Sequence, residues 1–301
     1  MLNLSGYQIV KKLYESSKSL VYRGYKTSNH CPVILKVLKQ EYPTPEAIAR
    51  FKLEYEITRR LDLPGTPTVY ALEQYQHSLA IVLEDFGGEA LCNLMVEQDF
   101  TLEELLTIAI QITEVLDSIH QQRVIHKDIN PCNIVLNPDG LLKIIDFGIS
   151  AVLSRETPTL VSPHVLEGTL AYLSPEQTGR MNRAVDYRSD FYSLGVTLYE
   201  LFTHQKPFDT ADVLELVHCH LAKQPLPPHL VQPNIPLPIS QIILKLMAKM
   251  AEERYQSAAG IKADLQSCLQ QLQTTGTIQA FPLARSDVSP QLQIPQKLYG
   301  R

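Results

Sequence analysis

The sequence predicts an α+β chain in two parts, a small antiparallel β-sheet with one helix followed by a larger α-helical region. Three observations lead there. The first 85 residues are mostly short runs of β-branched and aromatic residues separated by turn-prone segments. A single helical stretch, "PEAIARFKLEYEITRRL", interrupts those runs. After Phe86-Gly87-Gly88 the pattern becomes helical.

The elements follow in order. Strands are expected over residues 7–14, 19–27 and 32–39, the last after the turn-prone "TSNHC". The helix over 45–61 comes next, then strands in "TVYALEQ" and "SLAIVLE". In "TLEELLTIAIQITEVLDSIHQQ", Thr101 and Glu104 stand at capping-box spacing. Leu102, Leu105, Ala109, Ile112, Leu116 and Ile119 form one apolar stripe of that helix. Further helices are expected at "SDFYSLGVTLYELFTH", "ISQIILKLMAKM" and "SAAGIKADLQSCLQQL", with the proline-rich segment 224–238 as a loop. From about residue 273 periodicity fades. Residues 273–301 read as a linker or tail leading into a further, truncated domain, and 1–272 as one domain divided into 1–85 and 86–272.

Composition narrows the function classes. At 45% hydrophobic and 20% charged residues the 301-residue chain is of ordinary globular type. The net charge of −5, with no long run of like charges, gives no reason to expect nucleic acid or an anionic membrane as partner. No stretch of about 18 apolar residues is present, so no membrane span is expected. The opening "MLNLSGYQIVKK" lacks the apolar core of a signal peptide. Cys31, Cys92, Cys132, Cys219 and Cys268 are scattered, odd in number and without a CxxC pair, which predicts reduced thiols in a cytoplasmic protein.

The chemistry concentrates in "VIHKDINPCNIVLNPDGLLKIIDFGIS". Strand-like runs stand before His126 and in "LLKIIDF", with "NPDG" as a tight turn between them. A hairpin of this kind holds Asp128, Asn133 and Asp146 on one rim. Such oxygen donors suit Mg²⁺, which takes one or two carboxylates together with substrate phosphates. Asp and Asn most often cap turns, and any one of these residues alone is open to that reading. Jointly they match a known signature: HxDxxxxN, then DFG thirteen residues after the Asn.

On these residues the chain resembles the serine/threonine protein kinase family, over about 270 residues and with the motifs in order. The resemblance implies the bilobal kinase-like fold, with ATP and a protein substrate as partners and Mg²⁺ as cofactor. Lys36 in "VILK" is similar to the strand lysine that holds the α- and β-phosphates. Its partner is expected on the first helix. Phe51, Glu54, Thr58 and Leu61 share an inward stripe, whereas Glu56 neighbours Lys52, Arg59 and Arg60, so Glu54 is chosen. By the same resemblance Leu83 is the gatekeeper and Glu84 to Phe86 the hinge that receives adenine, with Leu13 and Val21 flanking the nucleotide. Asn133 and Asp146 would hold the metal, and Asp128 would act as catalytic base beside Lys36 and Asn133. "GTLAYLSPE" resembles the end of an activation segment, with Thr169 facing the catalytic Asp. Asp190 is expected to anchor the catalytic loop, and Arg254 to pair with Glu176. "HKDINPCNIV" and "GTLAYLSPEQTGRMNRAVDYRSDFYSLGVTLYELFTHQKPF" look like the kinase module of large bacterial proteins. There, a kinase domain precedes an ATPase-like domain and a sensor histidine kinase.

The sequence departs from the family pattern in three places. Tyr14, Ser16 and Ser19 replace the three glycines of the phosphate loop, where Ser16, Ser17 and Ser19 offer hydroxyls and Lys18 a charge. A plain hairpin turn is the alternative there. Asn130 replaces the lysine that steadies the γ-phosphate, and Lys127 the arginine of HRD. Ser154, Thr157, Thr159 and Ser162 are candidate phosphosites. "HCH" at 218–220 is read as structural, because i and i+2 diverge on a helix. The expected activity is γ-phosphoryl transfer from ATP to serine or threonine in bacterial signalling. A pseudokinase-like docking module is the first alternative, and a small-molecule kinase of the same fold the second.

Overall fold

The computed structural model describes residues 4–16, 18–152, 169–181 and 183–288. The four candidate phosphosites, Ser17 and the closing "PQKLYGR" lie outside the described residues. The chain forms two compact units, Met1–Asp99 with Ser118–Glu156, and Phe100–Asp117 with Thr157–Arg301. The segment from His126 to Asp146 therefore belongs with the sheet unit, although it follows residue 85 in sequence.

The first unit is built on a five-stranded antiparallel sheet of β1 (Tyr7–Glu15), β2 (Ser19–Lys26), β3 (Pro32–Leu38), β4 (Val69–Tyr75) and β5 (Ser78–Glu84), in the order β1-β2-β3-β5-β4. All five lie where the β-rich runs place them. Period-two alternation gives the sheet two faces. Val33, Leu35, Val37, Ala80 and Val82 point to one face and form a core with Leu4. Cross-strand register puts Val21, Lys36 and Ile81 side by side, which places Lys36 on the opposite face. The register of β1 against β2 shifts between Lys12 and Tyr14, a bulge centred on Leu13.

Helix α1 (Pro45–Leu61) starts at Thr44, whose hydroxyl accepts from Ala47 N at 3.2 Å, and has Arg59 and Arg60 in its last turn. Phe51, Glu54, Ile57, Thr58 and Leu61 are buried and Glu56 is exposed. Beyond β6 (Glu89–Ala90) and the short α2 (Leu91–Glu97), the segment that carries the HxDxxxxN and DFG motifs starts at β7 (Val124–Ile125). The expected hairpin forms differently. Its partners are β8 (Ile134–Leu136) and β9 (Leu142–Ile144), whereas β7 pairs with β10 (Ala151–Val152). Val124-Ile125 lies too far upstream of "NPDG" for a tight turn to return it onto "LLKII", and "IVL" immediately precedes that turn.

Five free thiols were expected, and one pair corrects that expectation. Cys92 and Cys132 are joined as a disulfide, while Cys31, Cys219 and Cys268 are free. The contact arises because α2 packs on the 3-10 turn Pro131–Asn133, an adjacency hidden by a sequence separation of 40.

Helix α3 (Leu102–Gln121) carries the expected capping box: Glu104 N donates to Thr101 Oγ1 at 3.3 Å, and Thr101 N to Glu104 Oε2 at 2.7 Å. The second unit then centres on α4 (Arg188–Thr203), buried along nearly its whole length. Gly195 permits its close approach to α7 (Leu237–Leu246), since a Cβ there would lie 2.8 Å from Leu246 Cβ. Helices α5 (Val213–Ala222) and α6 (Pro228–Val231) lie between these two in sequence. The expected loop over 224–238 thus contains α6 and the start of α7. Proline is tolerated in a first helical turn, where its missing N–H has no intrahelical partner. Helix α8 (Ala258–Thr275) is N-capped by Ser257. The segment read as a linker folds back on this helix: Asp287 accepts from Ser257 Oγ at 2.8 Å and Gln256 N at 2.8 Å.

Candidate active site

The face of the sheet opposite the Val33–Val82 core presents Lys36. Its ammonium lies 2.6 Å from Glu54 Oε1 and 2.8 Å from Asp146 Oδ1. Glu54, and not the exposed Glu56, meets the lysine because it lies on the buried stripe of α1. Burial works against the Lys36 charge, but the Asp146 and Glu54 carboxylates outweigh it and raise its pKa. Burial also pushes the Glu54 carboxyl up to about 7, with Asp146 adding to the rise and Lys36 opposing it. Asp146 is buried enough to be penalised as an anion, yet Lys36 and the Gly148 N–H hold it below the usual carboxylate range. Two carboxylates thus share one ammonium, and the proton deficit falls on Asp146.

Asp146 adopts φ 67°, a left-handed conformation uncommon for a residue with a side chain. Gly148 donates its N–H to Asp146 Oδ1 at 3.1 Å. A Cβ at Gly148 would lie 3.0 Å from that oxygen and 3.3 Å from Glu54 Oε2, so the glycine of DFG makes room for both acids.

The loop before β8 assembles around Asp128. Asn130 Nδ2 donates to Asp128 Oδ1 at 3.1 Å and Asn133 Nδ2 donates to Oδ2 at 3.1 Å. Both amides also reach the Asp128 carbonyl, at 3.1 and 2.9 Å. The two donors fix the plane of the carboxylate. His126 is fully buried. Its Nδ1 accepts the Asp128 N–H at 3.3 Å, which assigns the ring proton to Nε2, donated to the Ile145 carbonyl at 3.1 Å. Ile145 N in turn donates to the Asn133 carbonyl at 2.9 Å. One ladder of bonds therefore ties the Asp128 loop to the residue preceding Asp146. Lys127, with φ 70°, is a second left-handed residue in this segment.

With its nitrogen on Asp128, Asn133 has Oδ1 available for a cation, and Asp146 offers a carboxylate edge with a side chain 39% exposed. Among the described residues no group of three or more His, Cys, Asp or Glu side chains is arranged to hold a metal ion. A sparse set of hard oxygen donors fits Mg²⁺, which draws its remaining ligands from phosphates and water.

At the expected hinge, the Glu84 carboxylate accepts from Lys143 at 2.8 Å and Thr68 N at 3.0 Å. The Glu84 N–H is likewise engaged, donating to the Thr68 carbonyl at 2.9 Å. Lys143 also lies over the Phe86 ring, 5.1 Å from its centroid. In the turn where glycines were missing, Ser16 Oγ accepts from Ser19 N at 2.9 Å and Lys18 N at 3.1 Å. Those two amides are engaged within the hairpin, which favours the plain-turn reading for Ser16.

Sequence reasoning missed the bonds from Asn130 to Asp128. Spacing i, i+2 beside a proline was the available signal, since Asn commonly bonds backbone two residues away.

In the second unit Glu176 and Arg254 form a buried two-pronged pair, at 2.7 and 2.8 Å, as the resemblance implies. Ser189 Oγ adds a third bond to Glu176, and Arg254 Nε donates to the Ala248 carbonyl. Asp190 is fully buried in α4, and Thr169 is exposed at the start of the 3-10 turn Leu170–Tyr172. His218 is exposed while His220 is buried against Tyr192, its Nδ1 3.0 Å from the phenol oxygen.

Comparison with known proteins adds a second line of observation. Residues 7–268 match the family model described as protein kinase domain. A probable serine/threonine-protein kinase of Clostridium perfringens is 31% identical over 86% of this chain and 38% of its own length. Another of Streptomyces coelicolor is 32% identical over 87% of the chain and 40% of its own length. Serine/threonine-protein kinase PknB of Mycobacterium tuberculosis is 31% identical over 86% of the chain and 42% of its own length. The chain spans about two fifths of the length of these curated relatives.

Proposed function

The chain belongs to the protein kinase domain family, with serine/threonine-protein kinases among its relatives, and we propose that it transfers the γ-phosphoryl group of ATP to serine and threonine hydroxyls of proteins. The observation that carries this reading is the meeting of Lys36, Glu54 and Asp146 with a carboxylate, Asp128, held by two amides. Lys36, held in place by Glu54, binds nucleotide phosphate. Leu13 and Val21 flank the nucleotide, and the backbone of Glu84 to Phe86 receives the adenine. Asp128 accepts the proton of the incoming hydroxyl. Asn130 and Asn133 keep that carboxylate aimed. Asn133 and Asp146 would hold Mg²⁺, which when bound neutralises charge on the phosphate oxygens.

Among the described residues no helix is long and apolar enough to cross a membrane. We infer that the module works in the cytoplasm, where ATP is available, in bacterial signal transduction, with further ATPase and sensor domains as partners by resemblance.

The test is incubation with γ-labelled ATP and a mixed protein substrate, followed by phosphoamino-acid analysis, with Asp128→Ala as control. Label on serine and threonine from the wild type alone is the expected result. Equal background from both proteins would favour a docking module, and label only on a metabolite a small-molecule kinase.

A further inference from the structure

We propose that Cys92 and Cys132 form a reversible dithiol–disulfide site that, when oxidised, fixes the turn carrying Asn133. The two residues are 40 positions apart in sequence, on α2 and on the 3-10 turn Pro131–Asn133, yet their Cα atoms lie 5.0 Å apart and their sulfurs are joined. That Cα separation falls within the range disulfides use without backbone movement.

Placement carries the inference. Cys132 stands between the two residues whose amides hold Asp128. Its N–H donates to Asn130 Oδ1 at 2.9 Å, and Asn130 Nδ2 continues to Asp128 Oδ1 at 3.1 Å. Asn133 follows directly and donates to Asp128 Oδ2. A covalent tie at Cys132 therefore restrains both amides, and with them the side chain expected to hold the metal. The other end of the tie is anchored, because Leu91, beside Cys92, is wholly buried.

Accessibility separates this pair from Cys219 and Cys268. Cys132 is exposed and Cys92 half-buried, so an external disulfide can reach them. Cys219 and Cys268 are buried, and burial pushes the Cys268 thiol up to about 12, where almost no thiolate exists.

The chemistry is thiol–disulfide exchange with a small or protein disulfide as oxidant. The Cys132 thiolate attacks one sulfur of that disulfide and expels the first external thiol, leaving a mixed disulfide. The Cys92 thiolate then attacks the Cys132 sulfur and expels the second. Two cysteine protons are released to the two departing thiolates, and two electrons pass to the oxidant. A dithiol reverses the sequence.

The inference rests on the reading of Asn133 and Asp128 as parts of the nucleotide site, so its experiment separates the two. Wild-type protein and Cys92→Ser are each treated with oxidised glutathione or with dithiothreitol. Non-reducing peptide mapping is expected to show a Cys92–Cys132 linked peptide in the oxidised wild type alone. Titration with Mg²⁺ and a non-hydrolysable ATP analogue is expected to show binding about three- to tenfold tighter in oxidised than in reduced wild type. Cys92→Ser should give the reduced value under both treatments. Absence of the linked peptide, or equal affinities in the two states of the wild type, overturns the proposal alone. No binding of the analogue in either state overturns the nucleotide-site reading and the proposal with it.

Discussion

Lys36 Nζ lies 2.8 Å from Asp146 Oδ1, so the strand lysine is bonded to the carboxylate expected to hold the divalent ion. The same ammonium is 2.6 Å from Glu54, so one cation serves a buried acid and a partly exposed one. On the proposed reading, nucleotide binding would exchange partners here: Lys36 would turn to phosphate, and Asp146 would be left to hold Mg²⁺.

Lys36→Met leaves both acids without that cation. Breaking a buried pair by removing one partner costs about 3–5 kcal/mol. Lower stability in urea is expected, together with a fall in phosphoryl transfer of at least about 100-fold, as for removal of one electrostatic donor to a reacting group. A variant of wild-type stability and rate would contradict the arrangement.

The Glu54 carboxyl makes stability depend on pH. Its folded value, raised to about 7 chiefly by burial, exceeds the unfolded value of about 4.3. The stabilisation it gives is complete below the unfolded value and is lost as pH rises through about 7. Asp146, shifted downward, acts in the opposite sense at more acidic pH. Relative to Glu54→Gln, the wild type should lose stability as pH rises from 5 to 8, read as a falling difference in urea midpoint. A difference that stays constant across that window would show that Glu54 is not raised.

Asn130 aims Asp128 without touching the nucleotide in this reading. Asn130→Ala removes its bonds to the Asp128 carboxylate and carbonyl. At about 0.5–1.5 kcal/mol per hydrogen bond, a fall in kcat of roughly three- to tenfold is expected, with KM for ATP little changed. A change confined to KM would place Asn130 on the nucleotide instead.

Arg254 joins Glu176 to three backbone carbonyls, those of Ala248, Arg188 and Lys249. Arg254→Ala strands the buried Glu176 anion and is expected to destabilise the protein by about 3–5 kcal/mol. Arg254→Lys should not restore it, since lysine lacks the two-pronged fork. Full rescue by lysine, seen in thermal melts, would argue that charge alone matters.

Much of this was legible in the sequence, for definable reasons. Strands β1 to β5 follow from β-branched runs between turns, and Glu54 follows from helical periodicity, because both patterns are local. The segment from His126 to Asp146 was legible from its motif, but its pairing was not. Val124-Ile125 finds its partner in Ala151-Val152, which no turn residue links to it. The Cys92–Cys132 contact was hidden for the same reason: it depends on how α2 packs. At Ser16 the residue type allowed either a phosphate contact or a self-bonded turn, and only the hydrogen bonds to Lys18 and Ser19 separate them.

The most direct test is the rate of γ-phosphoryl transfer to protein by Asp128→Asn at saturating MgATP, set beside the wild type. Substitution keeps the shape of the side chain but removes the proton acceptor. The rate is expected to fall by at least about 100-fold, the lower range for loss of a positioned general base, while MgATP still binds. Transfer at an undiminished rate would contradict the site described.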